Sequence, residues 1–122
     1  MKSAGSLMAH ECADHHRGKA KLTAFWSRRG FHTISEAGCD VLAWGVKDGT
    51  LQFVFCEYER STRNVVRNCQ RNQIEDMLGR TKFLIVVPTE ELRYSIRKLL
   101  RQYLSPTSAR RIGIALLRRL EA

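Results

Sequence analysis

The spacing of hydrophobic and polar residues changes along the chain, and each change of period predicts a different element. Leu22, Phe25 and Trp26 recur at helical spacing among basic residues, which predicts an amphipathic helix over 15–29. Alternation over 31–37 then predicts a short strand. The chain therefore opens its folded part with a helix followed by a strand.

Two apolar runs flank the dipeptide Asp48-Gly49. Asp-Gly is a strong signal for a two-residue hairpin turn, because both central residues of that turn have positive φ. If the residues beside the turn pair with each other, Asp40 faces Glu57 across the hairpin, and Glu59 projects from the same face as Glu57. We therefore expect three carboxylates at one end of the hairpin.

Further elements follow the hairpin. A helix is predicted from 61 or 62 to 78, and the β-branched run over 82–88 predicts a buried strand parallel to the second hairpin strand, because a helix joins the two. Thr89 is the predicted cap of a third helix. The last segment fits either a helix or a strand, and we favour a strand over 110–117 that covers an open sheet edge. The elements indicate an α/β fold.

Length and composition indicate one ordinary globular domain. The chain has 122 residues, 43% hydrophobic and 27% charged. We assign 15–122 to that domain and 1–14, which lack periodicity, to a loose leader. The apolar run 83–87 is too short to cross a bilayer, so no membrane segment is expected. Four cysteines without C-x-x-C spacing, and no secretory signal, indicate reduced thiols in a cytoplasmic protein.

The charge balance indicates a polyanionic partner. Lys and Arg outnumber Asp and Glu by 21 to 12, which gives a net charge of +9. Fifteen of these cations are Arg, the better bidentate phosphate ligand. A basic stripe follows the acids along the predicted second helix, and Asn64 lies one position from it on the same helix. The stripe consists of Arg60, just before the helix, and Arg63, Arg67 and Arg71. We expect this stripe and Asn64 to contact phosphates, although a stripe of charge is also typical of a solvated helix face.

The three facing acids indicate a cation site. Like charges directly opposite on a sheet are destabilising, so Asp40, Glu57 and Glu59 either face water at a frayed strand end or hold a hard cation such as Mg²⁺. Glu36 precedes Asp40 by four residues and either joins this site or lies at a solvated strand end. A zinc cluster is a weaker alternative, because its spacing matches no established pattern; its residues would be His10, Cys12, His15 and His16.

The order αβββαβ, an Asp near the start of the second strand and an acid-x-acid at the end of the third resemble the PD-(D/E)xK phosphodiesterase superfamily. The resemblance covers roughly residues 15–104 and implies a restriction-endonuclease-like αβββαβ core, a mixed central sheet flanked by helices. Asp40 matches the motif's first acid and Glu57 its second. Glu59 stands at the position of the motif Lys, which is a departure. Residues that would substitute for it are Arg60, Arg63, Lys47 and Lys82.

The resemblance implies a metal-dependent DNA endonuclease. Asp40, Glu57 and Glu36 would bind Mg²⁺ or Mn²⁺, and Glu59 would bind a second ion or orient the attacking water. The family's small nuclease domains also imply a homodimer. Two alternatives stay open: a catalytically inactive nucleic-acid-binding module of the same fold, and a basic protein-interaction domain with solvated acids.

Overall fold

One sheet of five strands organises the chain in the computed structural model, which describes residues 13–35, 39–71 and 81–121. The strand order is β1-β2-β3-β4-β5; β1, β2 and β3 pair antiparallel, and β3, β4 and β5 pair parallel. The predicted α/β class with a mixed sheet flanked by helices is confirmed. The elements are α1 (Ala13–Arg28), β1 (His32–Ser35), β2 (Val41–Lys47), β3 (Thr50–Tyr58), α2 (Val65–Arg71), β4 (Thr81–Val87), α3 (Glu90–Tyr103), α4 (Pro106–Arg110), β5 (Ile112–Leu116) and a 3-10 helix (Leu117–Glu121).

The β2–β3 hairpin has the predicted turn and register. Asp48 has φ 52° and Gly49 has φ 75°, the positive values that this turn requires. Lys47 pairs with Thr50, and the pairing continues without a bulge to Val41 and Cys56. The register therefore places the start of β2 beside the end of β3, which confirms the prediction.

The starts of two helices differ from the predictions. Helix α1 begins at Ala13, before the predicted start at residue 15, because Asp14 lies in its first turn and accepts a hydrogen bond from the Tyr58 hydroxyl. Helix α2 begins at Val65 rather than at residue 61 or 62. There the Ser61 hydroxyl accepts from the N–H of Arg63 at 3.3 Å, which makes a turn before the helix. The predicted leader over 1–14 is therefore wrong at residues 13 and 14, which belong to α1. Residues 1–12 of that leader and the predicted end of the second helix over 72–78 lie outside the described residues.

Three further predictions agree with the structure, whereas the short helix α4 is not among the predicted elements. Strand β4 is parallel to β3, as predicted from the helical connection. The Thr89 hydroxyl accepts from the N–H of Leu92 at 3.2 Å and caps α3. The final segment forms the strand Ile112–Leu116 inside the predicted range. Among the described helices, none combines the length and apolar composition that crossing a bilayer needs.

Apolar clusters cover both faces of the sheet. On one face α2 and α3 pack over β4 and β5, and the buried members of that cluster include Val65, Cys69, Phe83, Ile85, Ile96 and Leu116. On the other face α1 and the 3-10 helix pack over β2 and β3, with Leu22, Val41, Val54, Cys56, Val86 and Leu120 buried between them. The central strand β3 contacts both clusters, so its C-terminal end is anchored on both sides.

Helix α1 crosses the sheet at Gly18, where no side chain fits. A Cβ at this position would lie 2.5 Å from Cδ2 of Tyr58. Alanine normally stabilises a helix relative to glycine by about 1 kcal/mol. Here we expect Gly18→Ala to lower the free energy of unfolding by about 1–3 kcal/mol through overpacking, measured by urea denaturation.

A second background makes this test specific to the contact. In a Tyr58→Leu chain the ring is gone, so Gly18→Ala is expected to be neutral or stabilising there. Ala24→Gly, at an exposed position of the same helix, is the reverse control and is expected to cost about 1 kcal/mol. Equal effects of Gly18→Ala in both backgrounds would contradict the packing explanation.

Candidate functional site: an acidic cluster at the end of β3

Asp40 and Glu57 meet where β2 begins and β3 ends. Beyond the last ladder pair, Val41 with Cys56, the backbone N–H of Asp40 donates to Oε1 of Glu57 at 3.0 Å. Glu57 is only 5% exposed, so its carboxylate lies within the end of the sheet and not in bulk water. The structure thus brings together the two acids that the hairpin register predicted to face each other.

Asn68 of α2 connects Glu57 to Glu59. Its side-chain amide donates to Oε2 of Glu59 at 2.9 Å and to Oε2 of Glu57 at 3.3 Å. The N–H of Glu59 donates to the carbonyl of Val86 at 2.9 Å, which fixes the backbone just after β3. Asp40, Glu57 and Glu59 therefore form one hydrogen-bonded group, here called the acidic cluster.

Helix α1 reaches the acidic cluster from the opposite face of the sheet. Nε2 of His15 lies 3.1 Å from Oδ2 of Asp40, and the same oxygen accepts from the N–H of Tyr58 at 2.8 Å. The His15 ring also stacks on the Tyr58 ring with centroids 5.9 Å apart. The sequence pattern indicates His15 only as an alternative zinc ligand. Its helical spacing to Gly18 and Leu22, both buried, is the signal in the sequence that it faces the sheet.

Burial and charge keep the nearby thiols and phenol protonated. Burial, followed by the charges of Glu59 and Glu57, raises the pKa of the Cys69 thiol to about 12. Burial likewise raises the pKa of the Cys56 thiol far above its ordinary value. For Tyr58, burial and then the hydrogen bond to Asp14 raise the pKa to about 12. Near neutral pH these three groups are neutral, so Cys56 and Cys69 offer no thiolate, and the donor atoms described above are carboxylate oxygens and an imidazole nitrogen.

The predicted basic stripe begins directly after the acidic cluster. Arg60, Arg63 and Arg67 are exposed. Nη2 of Arg67 donates to Oδ1 of Asn64 at 2.7 Å, so these two predicted phosphate contacts are already paired with each other. The side chain of Arg71 lies outside what the structure describes.

Neither predicted lysine substitute lies at the acidic cluster. Lys82 pairs with Val54, whereas Glu57 pairs with Ile85, a separation of about 10 Å along the sheet. Lys47 lies at the turn, at the far end of β3 from Glu57. The hypothesis that either lysine replaces the motif Lys is therefore not supported by the geometry, which leaves the arginines.

The cluster has the donor atoms of a magnesium site. Among the described residues, no group of three or more His, Cys, Asp or Glu side chains is placed to hold a metal ion. Mg²⁺ nevertheless needs only one or two carboxylates when waters and substrate phosphates complete its shell, and Asp40 and Glu57 supply that number. The third predicted metal ligand, Glu36, and two of the alternative zinc ligands, His10 and Cys12, lie outside the described residues.

We expect the Asn68 amide to stabilise the folded state by binding the carboxylates of Glu57 and Glu59. Asn68→Asp replaces the amide donor that Glu57 and Glu59 share with a fourth carboxylate, so we expect the free energy of unfolding to fall by about 1–3 kcal/mol at pH 8. Repulsion raises the pKa of the new carboxyl in the folded state. The folded state then binds more protons than the unfolded chain above pH ~4. The loss of stability relative to wild type therefore grows as pH rises and shrinks towards pH 4.

Asn64→Asp is the matched control, since the same change one turn earlier places the charge beside Arg67. We expect it to alter stability by less than about 0.5 kcal/mol. Chemical denaturation of both variants at pH 5 and pH 8 measures the difference. A deficit for Asn68→Asp that does not depend on pH would mean that the amide is not bound to ionised carboxylates.

Comparisons of this chain with protein-family models, with curated proteins and with solved structures find no match. The functional conclusion therefore depends on the side chains themselves. They comprise an acidic cluster at the end of β3, an imidazole from α1 that contacts it, and exposed arginines that follow it.

Proposed function

We propose that this chain is a metal-dependent DNA endonuclease of the PD-(D/E)xK type with a restriction-endonuclease-like core. The element order α1-β1-β2-β3-α2-β4 supports the proposal, as do Asp40 just before β2 and Glu57-x-Glu59 at the end of β3. The observation that carries it is the bond from the Asp40 N–H to Glu57 at 3.0 Å. It makes neighbours of two acids 17 positions apart, as the motif requires.

Asp40 and Glu57 would hold Mg²⁺ or Mn²⁺ through their carboxylate oxygens, which suit both cations. When bound, the cation lowers the pKa of a coordinated water and neutralises charge at the scissile phosphate. The chain's own donors orient the carboxylates: Asp40 N–H and Asn68 bind Glu57, and Tyr58 N–H binds Asp40. Such outer partners keep the two acids in place before substrate arrives.

Glu59 takes a different role from the Lys that the motif usually has. A carboxylate can orient the attacking water or accept its proton, or it can contact a second ion. Arg60 and Arg63 follow in the exposed segment before α2. Because arginine stays protonated, these residues would stabilise negative charge on the phosphate and would not transfer protons.

The proposed DNA contacts follow from the same segment. Arg60, Arg63 and Arg67, together with Asn64, would bind the phosphate backbone, which gives affinity without sequence information. Arg71 would extend the contact, and Glu36 would add a metal ligand. A homodimer would present two acidic clusters to the two strands of a duplex.

A second candidate is a DNA-binding module without catalysis. Each acid of the cluster already accepts a protein hydrogen bond, and the described residues contain no three-ligand metal group. This arrangement is compatible with acids that only stabilise the fold. Salt-dependent DNA binding without cleavage would favour this candidate.

The two candidates are separated by a cleavage assay on single-stranded, duplex and branched DNA with Mg²⁺, Mn²⁺ or EDTA. The nuclease proposal expects products from at least one substrate with Mg²⁺ or Mn²⁺ and none with EDTA. No cleavage of any substrate with either cation, under conditions where the DNA is bound, would defeat it.

Neutralising either acid of the central pair is expected to remove activity without unfolding the chain. Asp40→Asn keeps an oxygen acceptor for the Tyr58 N–H, and Glu57→Gln keeps one for the Asp40 N–H. The Asn68 amide then keeps its shorter bond to Glu59, and each variant relieves repulsion between carboxylates. We expect cleavage to be abolished and the free energy of unfolding to be unchanged or slightly higher. Wild type should also show a Mg²⁺-dependent rise in melting temperature that both variants lack.

The control is Asp48→Asn, which makes the same charge change at the exposed turn of the same hairpin. It should retain cleavage and the Mg²⁺ response, because Asn also tolerates positive φ. The assignment of Asp40 and Glu57 as metal ligands would be contradicted if the variants at 40 and 57 cleave normally. It would also be contradicted if the melting temperature of wild type does not change with Mg²⁺.

The arginines after the cluster are expected to contact phosphates. Arg63→Ala or Arg67→Ala should weaken DNA binding similarly for unrelated sequences, and each should lower the salt-dependence slope by about 0.9 for one lost duplex phosphate. Fluorescence anisotropy between 50 and 300 mM salt measures the slope. Arg29→Ala is the control, because Arg29 lies over the Phe25 ring at the end of α1. An unchanged slope for Arg63 and Arg67 would show that they face solvent only.

A further inference from the structure

The C-terminal third of the chain carries a group of positive charges that the acidic cluster and its arginines do not use. Between residues 92 and 120 the sequence has eight Arg or Lys and no Asp or Glu. These residues form most of α3, all of α4 and β5, and most of the 3-10 helix. A segment of this length that has no acidic side chain of its own attracts anions.

A cavity of about 340 Å³ lies within this part of the fold, between α3, α4 and β5. Three arginines line it, Arg97, Arg101 and Arg110. Its apolar wall includes Leu100, Leu104 and Ile114, each nine-tenths or more buried. The volume is within the range of small-molecule sites, roughly 300–1,000 Å³.

Local structure explains why the three arginines converge. Arg97 and Arg101 are four residues apart and share a face of α3. The chain then reverses at Ser105, whose hydroxyl accepts from the N–H of Ser108 and caps α4. The reversal returns Arg110 to the end of α3.

Helix-dipole effects alone do not explain the arrangement. Cations are favourable in the last turn of a helix, which accounts for Arg101 and Arg110. Arg97 lies a full turn earlier, and complementing a dipole needs no apolar cavity between the cations. The combination of three guanidinium groups with an aliphatic wall suits a ligand that is anionic at one end and apolar at the other.

We propose that this cavity binds one nucleotide of a nucleic-acid strand, with its phosphate at the three arginines and its sugar or base against the aliphatic wall. The anion chemistry is independent of the nuclease proposal, but the choice of a nucleic-acid strand rests on it. Arginine binds phosphate oxygens bidentately, and the negative charge of the phosphate complements the positive charge of the three arginines. Because β5 lies two strands from β3, the cavity is about 10 Å or more from Glu57 and would hold DNA away from the cleaved bond.

Two variants with equal charge test the proposal. The cavity variant combines Arg97→Gln, Arg101→Gln and Arg110→Gln. The control variant combines Lys98→Gln, Arg118→Gln and Arg119→Gln, three exposed cations of the same acid-free segment that do not line the cavity. Both lose three charges, so long-range attraction falls equally, and thermal melts verify that both are folded.

Binding to a fluorescein-labelled 20-nucleotide duplex and single strand, each in EDTA, is the readout. We expect the cavity variant to bind the preferred DNA at least 10-fold more weakly than wild type at 100 mM salt, with a slope lower by about 0.7–0.9. The control variant should bind within about 3-fold of wild type. Equal losses in both variants, or no loss in the cavity variant, would overturn the proposal.

A direct probe identifies the ligand class. Thymidine 5′-monophosphate should shift the methyl NMR signals of Leu104 and Ile114 in wild type and not in the cavity variant. A glutamate-rich peptide that shifts them at lower concentration than an oligonucleotide of equal charge would overturn the proposal in favour of an acidic protein partner.

The outcome for the cavity can be read separately from the outcome for the acidic cluster. If the cavity variant binds DNA normally while Asp40→Asn still abolishes cleavage, the cavity proposal fails and the nuclease proposal stands. If the cavity variant loses binding while wild type cleaves no DNA, the cavity proposal stands and the nuclease proposal fails. A wild type that binds no DNA defeats both.

Discussion

The pairing of β2 with β3 depends on a single two-residue turn, in which Asp48 and Gly49 have φ values of 52° and 75°. Side chains alternate between faces along a strand, so a shift of one residue would move Glu57 to the face occupied by Val54 and Cys56. The shift would also separate Glu57 from the N–H of Asp40 and from the amide of Asn68. Each contact of Glu57 in the acidic cluster therefore depends on this turn and the register it sets.

Burying Glu57 would be costly without donors, because an ionised carboxylate removed from water needs hydrogen bonds to replace its hydration. The donors to the acidic cluster come from different elements: the N–H of Asp40 before β2, the N–H of Tyr58 in β3 and the amide of Asn68 in α2. His15 adds a contact from α1 on the other face. The cluster is thus assembled only when both helices pack, and packing holds its geometry before any ligand binds.

Signals that act over a few residues predicted much of this fold. The Asp-Gly turn, the Thr89 hydroxyl and the alternation in Ile112–Leu116 are local, and the structure agrees with each. The contacts of His15 and Asn68 were harder to predict, because they link residues 25 and 9 positions apart through helices that pack on opposite faces. The early start of α1 has the same cause, since Asp14 bonds to a strand that lies 44 residues away. The arginine-lined cavity depends on the reversal between α3 and α4, which the sequence pattern did not reveal as a site.

If the acidic cluster binds a divalent cation, as we propose, the Asn68 side-chain amide reports on the binding directly, because it donates to both Glu57 and Glu59. The measurement is NMR of uniformly labelled protein during a titration with substoichiometric Mn²⁺, whose unpaired electrons broaden nearby signals. Cation binding at the acidic cluster predicts that the Asn68 amide signal broadens first, ahead of the Asn64 amide one turn away and far ahead of the exposed Gln102 amide on α3. Equal broadening of the three amides, or none at Asn68 at Mn²⁺ levels that support a nuclease, would contradict it.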